Sequence, residues 1–214
     1  MAIISNSGTW IAFAPKAGFT TLLQYADAGD AHTYYYPLIK PHHRVVIVCR
    51  DPWLRAISIY HYNMLTMPYN KLYNEAVSPL HKKRYNSLYD SVRTVYPQPS
   101  ELPVDEERFL YWIDQVLPNT IHTDGHTMTQ VLSWKLPTHV SWQSSDVEWW
   151  CLQDLNHHLL KLFGWVPKLQ NRQAYHRKRA LKYLELDGVR DAILKHYAED
   201  FTAYETALQQ RVLR

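Results

Sequence analysis

Residues 44–49, RVVIVC, form an uninterrupted, mostly β-branched run that breaks at Arg50-Asp51-Pro52. Such a run reads as a buried strand, and Pro52 suits the first turn of a following helix that carries Leu54, Ile57, Ser58 and Tyr60–Tyr62. The same grammar occurs once before. Thr9–Ala14 is a short apolar run ending at Pro15, and from Thr20 the spacing of Leu22, Leu23 and Tyr25 predicts a helix with Thr20 as its N-cap. Strand, loop and helix therefore recur twice within 60 residues, which points to parallel strands in an α/β sheet. At 214 residues the chain is long enough for one domain, 1–214, with a substantial core.

Downstream the pattern changes twice. Between 63 and 104 it loosens into a Tyr-rich stretch spotted with Lys and Arg, expected to be helical in pieces and to form an insertion over a site. Residues 105–117, DEERFLYWIDQVL, then predict an amphipathic helix with an acidic start. Residues 147–152, VEWWCL, predict another buried strand, followed by a helix over QDLNHHLLKLFGW that ends at Gly164. The last 35 residues carry Leu, Ile and Tyr stripes and read as helices.

Charge and cysteine content narrow the function classes. The net charge is only +3, and no long Lys/Arg run suggests a nucleic-acid arm, so a small anionic ligand fits better than a polyanion. Two cysteines, Cys49 and Cys151, argue against a disulfide-stapled secreted fold. No apolar stretch approaches the length of a membrane span, and the first ten residues are too short and polar for a signal peptide. The expectation is a soluble, cytoplasmic protein. Sixteen Tyr and eight Trp suit both a core and a ligand surface, and do not choose between them.

In an open α/β sheet, ligands bind beyond the carboxyl ends of the strands. PKAGFTT and RDPWLRAIS both lie there, on consecutive strand-to-helix turns. The first offers backbone N–H groups, the hydroxyls of Thr20 and Thr21, a helix N-terminus, Gly18 for close backbone approach and Lys16 as a mobile charge. The second offers Arg50 at the strand end and Ser58 two turns into the helix. Together they describe a ligand bearing two separate anionic groups.

These two segments resemble the cofactor motifs of sulfotransferases that use 3′-phosphoadenosine-5′-phosphosulfate (PAPS). PKAGFTTL is similar to the family's 5′-phosphosulfate loop, and RDPWLRAISIY to its 3′-phosphate motif, closest to that of the carbohydrate sulfotransferases. Weaker similarities extend over most of the chain: RFLYWI followed by DGHTMTQ, CLQDLNHHLLKLFG, and the closing HYAEDFTAYE. The type II membrane anchor of the animal Golgi enzymes has no counterpart, which implies a soluble bacterial or viral type. The resemblance implies a P-loop-like three-layer fold with a central, mainly parallel sheet flanked by helices. It also implies that Lys16, Ala17, Gly18, Phe19, Thr20 and Thr21 wrap the 5′-phosphosulfate and that Arg50 and Ser58 bind the 3′-phosphate. Lys16 would act on the bridging oxygen, and no metal is required. The acceptor would be a small-molecule or glycan hydroxyl, with no nucleic acid and no membrane span involved.

A base near the acceptor is also needed. His42 and His43 precede the strand ending at Arg50 and lie roughly 20 Å from its end, and His157 and His158 fall on the expected solvated side of a helix. His32, between the two motifs, and His126, in DGHTMTQ, remain as alternatives, alongside a Glu or another His. His122, Asp124 and His126 have spacing compatible with a metal site, but no further clear ligand or Cys pair accompanies them. HRKRALK, 176–182, could cover the nucleotide or start a solvated helix. The Tyr-rich insertion could pack or form an acceptor platform. The other functional readings are a small P-loop kinase using ATP with Mg²⁺, and a non-catalytic nucleotide-binding module.

Overall fold

The computed structural model describes residues 2–5, 7–34, 43–69, 89–99, 105–122, 127–134, 136, 140–167 and 181–212. Five strands form one sheet: β1 (Ala2–Ser5), β2 (Thr9–Phe13), β3 (Ala31–Tyr34), β4 (Arg44–Cys49) and β5 (Val147–Cys151), in the order β3-β1-β2-β4-β5. The expected parallel strands form one side of it: β4 runs parallel to both β2 and β5. The sheet as a whole is mixed rather than mainly parallel, because β1 pairs antiparallel with both β2 and β3.

The physical reason lies in a hairpin that the sequence pattern does not announce. Only three residues separate β1 from β2, a span that can close an antiparallel pair but not a parallel crossover. The turn is held by Gly8 N–H donating to the Ser5 carbonyl at 2.9 Å and by Thr9 N–H donating to Ser5 Oγ at 3.0 Å. Gly8 sits at φ 82°, the left-handed region that favours glycine.

Helices cover both faces. On one face α1 (Phe19–Asp27) and α6 (Leu155–Phe163) pack Leu22, Tyr25, Leu155 and Leu159 against Ile11, Phe13, Val46, Val48 and Trp150. On the other, α5 (Gln130–Trp134) and α7 (Val189–Val212) set Trp134, Ala203 and Ala207 against Trp10, Ala12, Val45, Ile47 and Trp149. The alternation follows from the pleat, whose successive side chains point to opposite faces. A third core is purely helical. It joins α2 (Pro52–Tyr60), a π-helical stretch His61–Thr66, and α3 (Glu106–Tyr111) with its π-helical continuation Trp112–Val116. The short α4 (Leu117–Thr120), Leu181–Glu185 and the first half of α7 complete it, around Tyr60, Phe109, Trp112 and Tyr183.

Several boundaries are close to the reading from sequence. Asp105 caps α3 by accepting from Arg108 N–H at 3.0 Å, Glu106 and Glu107 supply the acidic start, and α6 ends on Gly164. The expected N-cap at Thr20 is displaced: the helix begins at Phe19, behind Gly18, and Thr20 is exposed in its first turn. His157 is exposed as expected, but His158 is half-buried and stacks on Trp150 at 4.7 Å. Within 63–104 the described parts are Asn63–Tyr69 and 89–99, and 89–95 is helical. No helix of the described residues is long and apolar enough to cross a membrane.

Candidate functional site

The parallel register Phe13↔Val48 brings the carboxyl ends of β2 and β4 side by side, so the loops that leave them share one edge. The first loop, 14–18, is tightly wound. Ala17 N–H donates to the Ala14 carbonyl at 3.0 Å, Lys16 has φ 65° and Gly18 has φ 87°. Lys16 is the one non-glycine residue with positive φ among the described residues. Holding it there costs roughly 1–2 kcal/mol, which the surrounding contacts must offset. Positive φ on either side of Ala17 gives the loop an alternating backbone, the pattern from which anion-binding concavities are built.

Gly18 is required by more than its torsion. A Cβ there would stand 2.9 Å from Leu155 Cδ2 and 3.2 Å from Leu152 Cδ1, so the loop lies directly on α6. Because α1 starts on a glycine, no side chain of its N-cap takes up its first N–H groups. α2 is the opposite case. The Asp51 carboxylate accepts from Trp53 N–H at 2.8 Å and from Leu54 N–H at 3.3 Å, closing that helix start. Of these two helix starts, α1 is thus the one whose first N–H groups no N-cap side chain takes up.

Arg50, the first residue beyond β4, ties the two loops together. Its guanidinium NH1 donates to the Lys16 carbonyl at 2.6 Å, and the side chain is buried. The same left-handed turn that offers this carbonyl sends the Lys16 ammonium over the ring of Tyr62, 4.3 Å from its centroid. Tyr62 lies in the π-helical turn that continues α2, a distortion that recurs where side chains must be re-aimed at a site. Ser58 is buried on α2, its hydroxyl donating back to the Leu54 carbonyl at 3.1 Å.

Beneath the loops runs a buried polar network. Arg55 Nε donates to the Pro15 carbonyl at 3.3 Å, its NH2 to the Met128 carbonyl at 2.6 Å, and its NH1 lies 3.5 Å from Asp200 Oδ2. Asp200 also accepts from Gln130 N–H at 2.9 Å and Val131 N–H at 3.2 Å, capping α5. Burial pushes the Asp200 carboxyl up, against the opposing pull of Arg55 and the two N–H donors. The Gln130 side chain returns to Arg50, with Oε1 accepting from Arg50 N–H at 2.9 Å and Nε2 donating to the Arg50 carbonyl at 2.8 Å. One turn before Asp200, α7 is kinked at Tyr197, whose hydroxyl donates to the Thr127 carbonyl at 2.8 Å. Asn63 donates to the Thr127 hydroxyl at 3.0 Å.

The structure thus brings Lys16, Ala17, Gly18, Thr20, Thr21 and Arg50 to one edge, with Ser58 on the adjoining helix. It does not bring His32 there. His32 is exposed on edge strand β3, paired through Ile4 with Trp10, so it lies about 10 Å short of the end of β2 and two strands across. His126 and Asp124 lie outside the described residues, as does most of 176–182. Cys49 and Cys151 are free, buried and opposite one another on β4 and β5. Burial pushes both thiols up, Cys49 furthest, which leaves them as packing residues rather than nucleophiles.

Four residues of this arrangement, Arg55, Tyr62, Gln130 and Asp200, were given no role from sequence, although Arg55, Gln130 and Asp200 stand in the quoted motifs. Asp200 did carry a signal. It shares the apolar stripe Ile193, Tyr197, Ala203, Ala207 of α7, and an acid on such a stripe needs a buried partner. Arg55 is the matching base, flanked by Leu54, Ala56 and Ile57 on a helix buried along most of its length.

Comparison with protein-family models, with curated proteins and with solved structures finds no match to this chain.

Proposed function

We propose that this chain is a sulfotransferase that moves a sulfuryl group from PAPS to an acceptor hydroxyl on a carbohydrate or similar small molecule. The observation that carries the reading is the 2.6 Å bond from Arg50 to the Lys16 carbonyl, which joins the two strand-end loops into one edge. Adjacent parallel strands, a loop of alternating φ sign and a helix start without a side-chain N-cap support a P-loop-like reading of that edge. The donor set also fits: Lys16, Thr20, Thr21 and the first N–H groups of α1 on one side, Arg50 and Ser58 on the other. The carboxylate between them, Asp51, is already engaged with backbone donors.

When bound, PAPS supplies an activated sulfuryl group and leaves as adenosine 3′,5′-bisphosphate. The backbone of 16–21 and the two threonine hydroxyls hold the 5′-phosphosulfate, preorganised so that no reorientation is required as charge shifts. With the donor bound, Lys16 would leave the Tyr62 ring and supply positive charge to the leaving group. Arg50 and Ser58 bind the 3′-phosphate, a group suited to guanidinium donors. His32 is remote from this edge, so of the two candidate histidines we carry His126 forward as the acceptor's base.

The test is turnover. Incubation with PAPS and a panel of sugars should release adenosine 3′,5′-bisphosphate in an acceptor-dependent way, and Arg50→Ala should weaken donor binding. Tight donor binding with no transfer to any acceptor would instead indicate a nucleotide-binding module.

A further inference from the structure

We propose that Gln130 is the positioning residue that gives this site its selectivity for a ribose 3′-phosphate, by fixing the direction in which Arg50 points. The inference rests on the donor assignment above. β4 has strand partners up to Cys49, which pairs with Cys151, and the Phe13↔Val48 pair ends its ladder with β2. Arg50 is therefore the first residue past the ladder, where backbone direction is ordinarily set by a loop. Here both of its peptide groups are taken by one side chain, Oε1 of Gln130 on the N–H at 2.9 Å and Nε2 on the carbonyl at 2.8 Å. A planar amide bonded at two points acts like one more peptide of a neighbouring strand, and it fixes the Cα–Cβ direction of Arg50.

Gln130 is itself immobilised. It is fully buried, and its own N–H donates to Asp200, which Arg55 holds from the other side. Arg50 is thus clamped at both ends: its backbone by Gln130 and its guanidinium NH1 by the Lys16 carbonyl. A guanidinium held this way meets a phosphate at one place rather than following charge wherever it lies, so it rewards the 3′ position. Gln130 is too deep to touch ligand, and it acts through Arg50 alone.

The experiment measures calorimetric affinities of the full chain for adenosine 3′,5′-bisphosphate and for adenosine 5′-monophosphate. The wild type is compared with Gln130→Ala, Gln130→Glu, Arg50→Ala and the double variant Gln130→Ala/Arg50→Ala, each checked by thermal melting. Gln130→Ala should lower the preference for the bisphosphate roughly tenfold, the scale of one charge-assisted hydrogen bond, while the monophosphate affinity is held. In the Arg50→Ala background the same change should have no further effect on the preference. Gln130→Glu keeps the acceptor for Arg50 N–H but sets a carboxylate oxygen against the Arg50 carbonyl, and it gives the same loss if the alanine variant does not fold. Equal weakening of both ligands, or an unchanged preference, overturns the inference. A wild-type preference near one overturns the donor assignment first, and this inference with it.

Discussion

Replacing Arg55 by methionine tests the buried network most severely. The side chain is 1% exposed, and its guanidinium meets three oxygens, those of Pro15, Met128 and Asp200. Methionine retains much of the aliphatic stem, so lost packing contributes little. What remains is an Asp200 carboxylate, 0% exposed, whose charge is held by Gln130 and by the Val131 N–H, with no cation among its described contacts. Breaking a buried ion pair from one side costs about 3–5 kcal/mol. That is a large share of the roughly 5–15 kcal/mol that holds a typical domain folded. For a chain of this length the midpoint of thermal unfolding should fall by about 10 °C. Urea unfolding followed by tryptophan fluorescence measures the loss as a shift in midpoint at constant slope. The effect has a pH signature. The Asp200 carboxyl is already raised by burial, and removing the guanidinium raises it further, so the variant gains most from protonation. The deficit relative to wild type should shrink as pH falls from neutrality toward the ordinary carboxylate range. Adding Asp200→Leu should recover part of the stability, because the stranded charge is gone. A loss under about 1 kcal/mol, the value of an exposed pair, or a deficit that grows on acidification, would refute the reasoning.

Three other outcomes follow from the same geometry. Lys16→Ala should lower turnover by roughly two to three orders of magnitude with little change in donor affinity, as for loss of a donor to developing charge, and near-wild-type turnover would remove Lys16 from the chemistry. Gly18→Ala places a methyl 2.9 Å from buried Leu155 Cδ2 at φ 87°; it should destabilise by about 2–3 kcal/mol and weaken donor binding, both read from melting with and without nucleotide. Tyr25 donates to the Trp165 carbonyl at 2.9 Å, and burial, with a smaller push from Asp30, raises its phenol to about 12. Its folded-state pKa exceeds the unfolded one, so its contribution is complete below pH 10 and is lost between pH 10 and 12; Tyr25→Phe should flatten that part of the stability profile.

The central strands were legible because they are buried on both faces and written as continuous apolar runs, as in RVVIVC. The antiparallel side of the sheet was not. β1 and β3 have four residues each, AIIS and AHTY, too short for periodicity to register; a hairpin lays β1 against β2, and the chain after α1 adds β3 at the edge. Of the site, the loop residues announced themselves by composition: a lysine, a glycine and two threonines between strand and helix. The support beneath them did not, since a buried hydrogen bond such as that from Arg50 N–H to Gln130 joins residues 80 positions apart. DGHTMTQ and HYAEDF looked like separate weak similarities in the chain. In the fold, Gln130, Tyr197 and Asp200 from these segments meet under Arg50 as one unit.

Calorimetric titration of the full chain with adenosine 3′,5′-bisphosphate and with ADP, each with and without Mg²⁺, bears most directly on the donor assignment. Arg50 joined to the Lys16 loop predicts tighter binding of the 3′-phosphorylated nucleotide, with no dependence on metal. Preference for ADP that appears only with Mg²⁺ would contradict it.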